Sequence, residues 1–385
     1  MVCGMTTTDN AHVRHDERLG TWNVTGHPEI LAALNNPATF SSDIGRLFGA
    51  EPEAAEQFND GNLIQTDPPT HRKLRTLASS AFTPKVVAGL QPRIVALTTE
   101  LLDAVDGDLE LVSQLAHPLP VIVIAELLGV PTSDRALFRQ WADVLLLNDM
   151  EFTAKDEDGE QARRFQEQAA ALQPMADYLL SHINERKTAP REDLLTRLVQ
   201  AELDGARLTD GQLVNFTMVL LLAGHITTTM LLTNTVLCLD EHPRQAAEIR
   251  ADRSLLPATI EESLRLRSPF NVLARATLVE AELGGQVIPA GRMVLLWLNR
   301  GNRDPRVFAR PDEFEPARDP NPHLSFGRGI HFCLGAPLAR LEGRIALNLL
   351  LDRFPVLRTD PADPPVRTGA PNTTGVSRLL LRTAY

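Results

Sequence analysis

Apolar positions along the chain follow two different periods. From His71 onward they recur mainly three and four residues apart, and this spacing predicts helices through the middle of the sequence. The longest such stretch opens at Thr209, followed three places later by Gln212 in a capping-box pattern. It runs from Asp210 to Asp240 before His242-Pro243, which predicts a helix of about 46 Å. A later helix is predicted where Leu338, Leu341, Ile345 and Leu349 keep helical spacing behind Pro337, a residue suited to a first turn. Strand-like patterns are few. Trp22 to Thr25 reads as a short strand, followed by a helix from Pro28 to Asn35. Gln286 to Ile288 and Met293 to Leu298, flanking Pro289-Ala290-Gly291, predict a hairpin, and a last pair of short strands flanks Asn372 to Gly375 and ends in Arg378 to Arg382. Gly45 to Gln65 and Glu151 to Asp158 read as loops. The pattern predicts a single large domain, mostly α with a small β portion, over residues 21–385. The polar segment 1–20 is expected to be poorly ordered.

The apolar run Met218 to Leu232 is long enough to raise the possibility of a membrane span. Gly224, His225 and Thr227-Thr228-Thr229 at its centre, and the lack of a basic flank, favour the buried central helix of a large domain instead. No signal peptide or membrane anchor is visible near the N-terminus, so the expectation is a cytoplasmic protein without a membrane. A formal charge of −11 over 385 residues argues against nucleic acid as a partner. Three cysteines, Cys3, Cys238 and Cys333, are too few and too widely spaced for a disulfide framework or a zinc site.

The candidate chemistry gathers at Cys333. It stands in Phe326-Gly327-Arg328-Gly329-Ile330-His331-Phe332-Cys333-Leu334-Gly335, at the mouth of the helix that follows. Free amides and the helix dipole there favour a thiolate. Gly327, Gly329 and Gly335 are expected to allow backbone bends and the close approach of a flat ring. A lone cysteine is more often structural; the ordered ten-residue pattern makes this one a candidate ligand.

That run resembles the haem-binding signature of the cytochrome P-450 superfamily, the haem-thiolate monooxygenases, in its soluble bacterial form. The resemblance extends from about Trp22 to the end of the chain. It implies haem b bound through Cys333. It also places Ala223-Gly224-His225-Ile226-Thr227-Thr228 on the distal face of the haem, with Gly224 leaving room for dioxygen and Thr227 organising protons and water. Ile226 stands where the family usually has an acid, which leaves the proton route open. Glu262 and Arg265, one turn apart, match the family's Glu-x-x-Arg element and are expected to bond to the loop from Asn302 to Phe314. His71, Arg75, Arg275 and His331 match the positions that hold the two propionates.

The activity implied is insertion of one oxygen atom from O2, by hydroxylation or epoxidation, into a hydrophobic small molecule, such as a polyketide or modified peptide of secondary metabolism. Electrons are expected from a ferredoxin or similar carrier, with Arg72, Lys73, Arg328, Arg340 and Arg344 as either a docking patch or ordinary solvated charges. A haem-thiolate peroxygenase, isomerase or oxidative cyclase would use the same cysteine, and a non-catalytic haem sensor is a further alternative. The substrate pocket is expected to be lined by the loop after Phe40, Ala223, Gly224, Thr227, Phe270 to Leu273, and the turn near Thr373 and Thr374.

Overall fold

The computed structural model describes residues 11–47, 60–79, 82–134, 136–138, 140, 141, 153, 160–203, 206–369 and 372–383. Its centre is the helix Asp210–Glu241, and 78% of its most apolar stretch is buried by protein. The start is set as the sequence predicts: Thr209 Oγ1 accepts from the Gln212 amide at 3.2 Å, while Gln212 Oε1 accepts from the Thr209 amide at 3.0 Å. Around this helix pack Pro118–Leu128, Glu160–Thr188, Leu256–Leu266 and Ala336–Arg353. Such a helix needs no lipid. Its apolar surface is covered on several sides by other helices, so burial inside the fold supplies the hydrophobic stabilisation.

A smaller core belongs to the β portion. In the larger sheet the strands lie in the order Val13–Asp16, Thr21–Val24, Met293–Trp297, Val272–Thr277, Phe40–Ser41. Met293–Trp297 runs parallel to Thr21–Val24 and antiparallel to Val272–Thr277, with Met293 opposite both Thr21 and Ala276. Val24, Ile30, Val294 and Leu296 are buried between this sheet and the helix His27–Leu34.

Two expectations are corrected here. Gln286–Ile288 does not pair with Met293–Trp297; it forms a hairpin with Ala281–Leu283 across Gly284-Gly285, both at positive φ. A two-glycine turn is the stronger hairpin signal, and it frees Met293–Trp297 for the central sheet. Strand Val13–Asp16 lies in the segment expected to be poorly ordered. Backbone pairing with Thr21–Val24 holds it, although most of its own residues are polar. At the other end of the chain Val366–Arg367 pairs with Val376–Arg378, whereas Leu380–Arg382 joins Arg358–Thr359 and Leu109–Glu110 in a separate sheet. Of the two predicted loops, Glu151 to Asp158 falls outside the described residues except Thr153. Gly45 to Gln65 is described at 45–47, a single 3-10 turn, and at 60–65.

Candidate active site

Cys333 follows a 3-10 turn, Gly329–His331, and precedes the helix Ala336–Arg353. Its amide donates to Phe326 O at 2.8 Å, and the Phe332 amide donates to Gly329 O at 3.1 Å, so the loop folds back on itself and presents the sulfur to a cavity. Gly327 and Gly329 both have positive φ, 67° and 68°. At Gly329 a Cβ would also lie 2.5 Å from Leu34 O, a backbone atom that cannot yield, so two constraints select glycine there. Gly335 differs from expectation: its φ is −80° and nothing lies within 4 Å of a Cβ built there. It is not needed for a bend. Gly335 lines the cavity, and a Cβ there would meet open space.

Electrostatics at the sulfur also depart from the sequence reading. Burial pushes the Cys333 thiol up, while the amides of Gly335 and Ala336, together with Arg75 and Arg340, pull it down; burial prevails. The amides at the helix end thus act in the direction the sequence predicts without outweighing burial, and coordination to a metal cation would deprotonate the thiol outright.

The cavity above the sulfur is about 610 Å³, within the usual range for a small-molecule site. The long helix forms its opposite wall through Val219, Leu220, Ala223, Gly224, Thr227, Thr228 and Leu231. These recur at intervals of one, three and four residues, so helical periodicity in the sequence was enough to find Val219, Leu220 and Leu231 once Thr227 was placed. The hydroxyl of Thr227 donates to Ala223 O at 2.9 Å, and that of Thr228 to Gly224 O at 3.0 Å. Both retain lone pairs that can accept from a group in the cavity. A Cβ on Gly224 would meet Ile124 Cγ1 at 3.2 Å and Cδ1 at 3.3 Å. Ile226 points elsewhere, into the apolar core, where it is 8% exposed.

Cationic and imidazole groups converge at one edge. The rings of His71 and His331 lie 4.2 Å apart, and Arg75, Arg275 and His331 all line the cavity. Burial and the neighbouring Arg75 push the His71 pKa down; burial together with His71, Arg275 and Arg75 pushes that of His331 down to about 3. Burial lowers Arg275 to about 10. Asp67 is the acid within electrostatic reach of His71 and Arg275, and it already accepts from Ser41 Oγ and the Ser42 amide. The Nε2 atoms of His71 and His331 are buried without a hydrogen-bond partner. Crowded cations with orphaned donors fit a ligand bearing carboxylates, and a thiol at a helix mouth fits an iron centre.

Behind the sulfur, Glu262 and Arg265 are fully buried and bonded to each other twice, both at 2.8 Å. Arg265 donates to the carbonyls of Asn302, Pro311 and Glu313 and stacks over Phe308. Arg318 and Asn321, which the sequence reading missed, donate to the same carboxylate. Ser325 Oγ, donating to Leu264 O at 2.7 Å and accepting from Asn302 Nδ2 at 2.9 Å, links this cluster to the cysteine loop. The basic set on this side divides. Arg72, Lys73 and Arg344 are exposed and Arg328 lines the cavity. Arg340 forms a bidentate pair with Glu261 at 2.7 Å and lies over Phe326, 4.5 Å from the ring centre, so these groups fix it in place although its side chain stays partly exposed.

On the substrate side, Ser42 and Ile44 after Phe40, and Phe270, Val272 and Leu273, line the cavity as expected. Thr373 and Thr374 do not: Thr374 Oγ1 donates to Asn271 Oδ1, Thr373 bridges to Phe270, and Asn372 takes their place on the wall. Gln65, Phe82, Ile124 and Glu342 join the lining from separate segments, which no local pattern announces.

A single cysteine, an apolar cavity and a carboxylate-binding edge define a haem-thiolate protein. The chain matches the family Cytochrome P450 over residues 22–377 and belongs to it. Among curated relatives it is 46% identical over 346 residues to cyclomarin C epoxidase CymV of Salinispora arenicola, covering 89% of this chain and 86% of that one. It is 43% identical over 354 residues to the erythromycin C-12 hydroxylase of Saccharopolyspora erythraea, covering 91% and 86%. Among solved structures, HmtT, involved in himastatin biosynthesis, superposes with a TM-score of 0.86 at 54% identity, covering 98% of this chain and 95% of that one. These relatives are bacterial P450 enzymes, and the chain is accordingly a haem-dependent oxidoreductase of the monooxygenase type.

Proposed function

We propose that this monooxygenase hydroxylates or epoxidises a large, largely apolar secondary metabolite, a macrolide or a modified cyclic peptide. The observation that carries the reading is the cavity itself: Cys333 on one wall, Thr227 on the other, and between them mostly aliphatic and aromatic side chains. Relatives whose names specify an epoxidase of cyclomarin C and a hydroxylase of erythromycin support that substrate class.

Cys333 would hold the haem iron, and His71, Arg75, Arg275 and His331 its propionates. When bound, a thiolate-ligated haem supplies O–O cleavage and an oxidant for C–H bonds and alkenes. The chain's own part is positional. Apolar walls orient the substrate and exclude water. Gly224 keeps the long helix close to Ile124 and leaves space beside Thr227, whose hydroxyl holds a proton-bearing water at the reacting face. Glu262 and Arg265 fix the loops behind the cysteine.

Electrons arrive singly from a ferredoxin or similar carrier docking near Arg72, Lys73 and Arg344, and the enzyme works in the cytoplasm. The test is a panel of macrolides and cyclic peptides screened by the substrate-induced shift of the Soret band. Hits are then incubated with NADPH, a ferredoxin and its reductase under 18O2. Incorporation of one labelled atom per product supports the proposal. Turnover with peroxide alone, and none with NADPH and ferredoxin, would assign the chain to the peroxygenases or isomerases instead.

A further inference from the structure

An electron delivered by the carrier changes the charge at the site. The iron goes from ferric to ferrous as the carrier is oxidised, and the region beside the Cys333 sulfur becomes one unit more negative. A fixed charge nearby therefore alters how readily the electron is accepted: a cation favours the reduced state and an anion opposes it. Arg75 and Arg340 both act on the sulfur. Arg75 lines the edge whose cations would face the propionates, which would offset its charge. Arg340 has a protein partner instead.

The placement of Arg340 is specific. It lies on the helix Ala336–Arg353, and its guanidinium donates through Nε and one terminal nitrogen to the two oxygens of Glu261, both at 2.7 Å. The same guanidinium lies over Phe326, 4.5 Å from the ring centre. Phe326 lines the cavity, and its carbonyl accepts from the Cys333 amide at 2.8 Å, so the cation rests on the residue that anchors the cysteine. Glu261 is held in turn. Its Oε2 pairs with His323 Nε2 at 3.0 Å, and His323 Nδ1 accepts from the Ser325 amide at 3.2 Å. With Nδ1 an acceptor, the ring proton sits on Nε2 and the imidazole is neutral. The cluster thus holds one anion and one cation, and it ties the helix Leu256–Leu266, the cysteine loop and the helix after it together. An exposed ion pair would contribute little stability; a stacked bidentate pair beside the sulfur is oriented enough to act as a fixed field.

We propose that the Glu261–Arg340 pair, seated on Phe326, sets the reduction potential of the iron held by Cys333: Arg340 supplies a positive field at the sulfur, and Glu261 both aims that cation and limits its strength. This rests on the haem-thiolate reading and extends it to two positioning residues that act through the cysteine loop. Their effect must appear in the potential, and its sign must follow the charge that is removed.

The test is anaerobic reductive titration of the haem-loaded, substrate-free protein and its Arg340→Gln, Glu261→Gln and Arg340→Lys variants, followed at the Soret band at pH 8, above the ordinary imidazole range. Arg340→Gln leaves Glu261 as an anion, and the equilibrium constant for reduction should fall about tenfold, 59 mV for a one-electron couple. Glu261→Gln leaves Arg340 as an uncompensated cation, and the constant should rise about threefold. Arg340→Lys keeps the charge and should recover most of the loss. A merely structural pair would lower haem content and stability in both glutamine variants and could not move the potential in opposite directions. Shifts of the same sign, no shift in either, or Arg340→Lys matching Arg340→Gln overturns the proposal. Should one glutamine variant not hold haem, the sign of the shift in the other decides together with Arg340→Lys. The reduced carbon monoxide complex of the unmutated protein separates the two levels, since a missing thiolate band there refutes the haem-thiolate site itself.

Discussion

Replacing Glu262 by alanine tests the scaffold behind the cysteine. The substitution removes the acceptor of two Arg265 bonds at 2.8 Å and of bonds from Arg318, the Glu315 amide and Asn321 at 3.0 to 3.2 Å. Arg265 keeps three carbonyl partners but no anion, and Arg318 keeps Glu315 on its more exposed side. Removing one partner of a buried pair costs about 3 to 5 kcal/mol, out of the roughly 5 to 15 kcal/mol that stabilises a typical protein. The folding constant should fall about 10² to 10⁴-fold. Urea unfolding followed by circular dichroism, together with haem content per protein, measures it: a markedly lower midpoint and little haem are expected. Glu262→Gln keeps one acceptor oxygen and should fall between. The double variant Glu262→Leu/Arg265→Met should recover part of the loss, because it removes the stranded charge as well as its partner. A midpoint and haem content near those of the unmutated protein in Glu262→Ala would refute the reasoning.

Cys333→Ser should abolish the long-wavelength absorption of the reduced carbon monoxide complex; a thiolate spectrum that survives would transfer ligation to another cysteine. Thr227→Ala should raise peroxide release and lower product per NADPH, whereas Ile226→Ala should cost about 2 to 5 kcal/mol of stability as a core truncation with much less effect on coupling. Equal coupling in Thr227→Ala and the unmutated enzyme would make the threonine structural. Glu261, held by Arg340 and His323 although burial opposes ionisation, has its pKa lowered from 4.5 to about 2. A depressed folded-state pKa contributes stability that is present above 4.5 and lost as pH falls toward 2. Acid unfolding should therefore be less steep across that window in Glu261→Gln, and an identical pH profile would show that the pair contributes nothing.

Local chemistry made much of this protein legible without its structure. The capping box at Thr209, the uninterrupted apolar run behind it, and the ordered glycines, histidine and cysteine from Phe326 to Gly335 each encode their meaning within a few residues. Spacing of one helical turn joined Glu262 to Arg265 and His71 to Arg75 because neighbours on a helix face are fixed by geometry alone. The departure at Gln286–Ile288 is also local: Gly284 and Gly285, both at positive φ, suit a tight hairpin better than Pro289-Ala290-Gly291 does.

What required the tertiary structure was every property set by residues distant in the chain. Whether Ile226 faces the cavity or the core, whether Arg340 is free for a partner or held by Glu261, and whether Gly335 bends the backbone depend on what packs opposite each of them. The thiol of Cys333 shows the same division. Sequence places it at a favourable helix end, but only the packed fold reveals that burial outweighs the amides and the arginines. Glu342, hidden in a helix of ordinary pattern, becomes chemically distinctive only in the packed fold, where burial raises its pKa to about 8 and Oε2 has no hydrogen-bond partner. Desolvation is a property of the whole fold. No stretch of sequence carries it, and it decides which of the legible residues are charged and which are neutral.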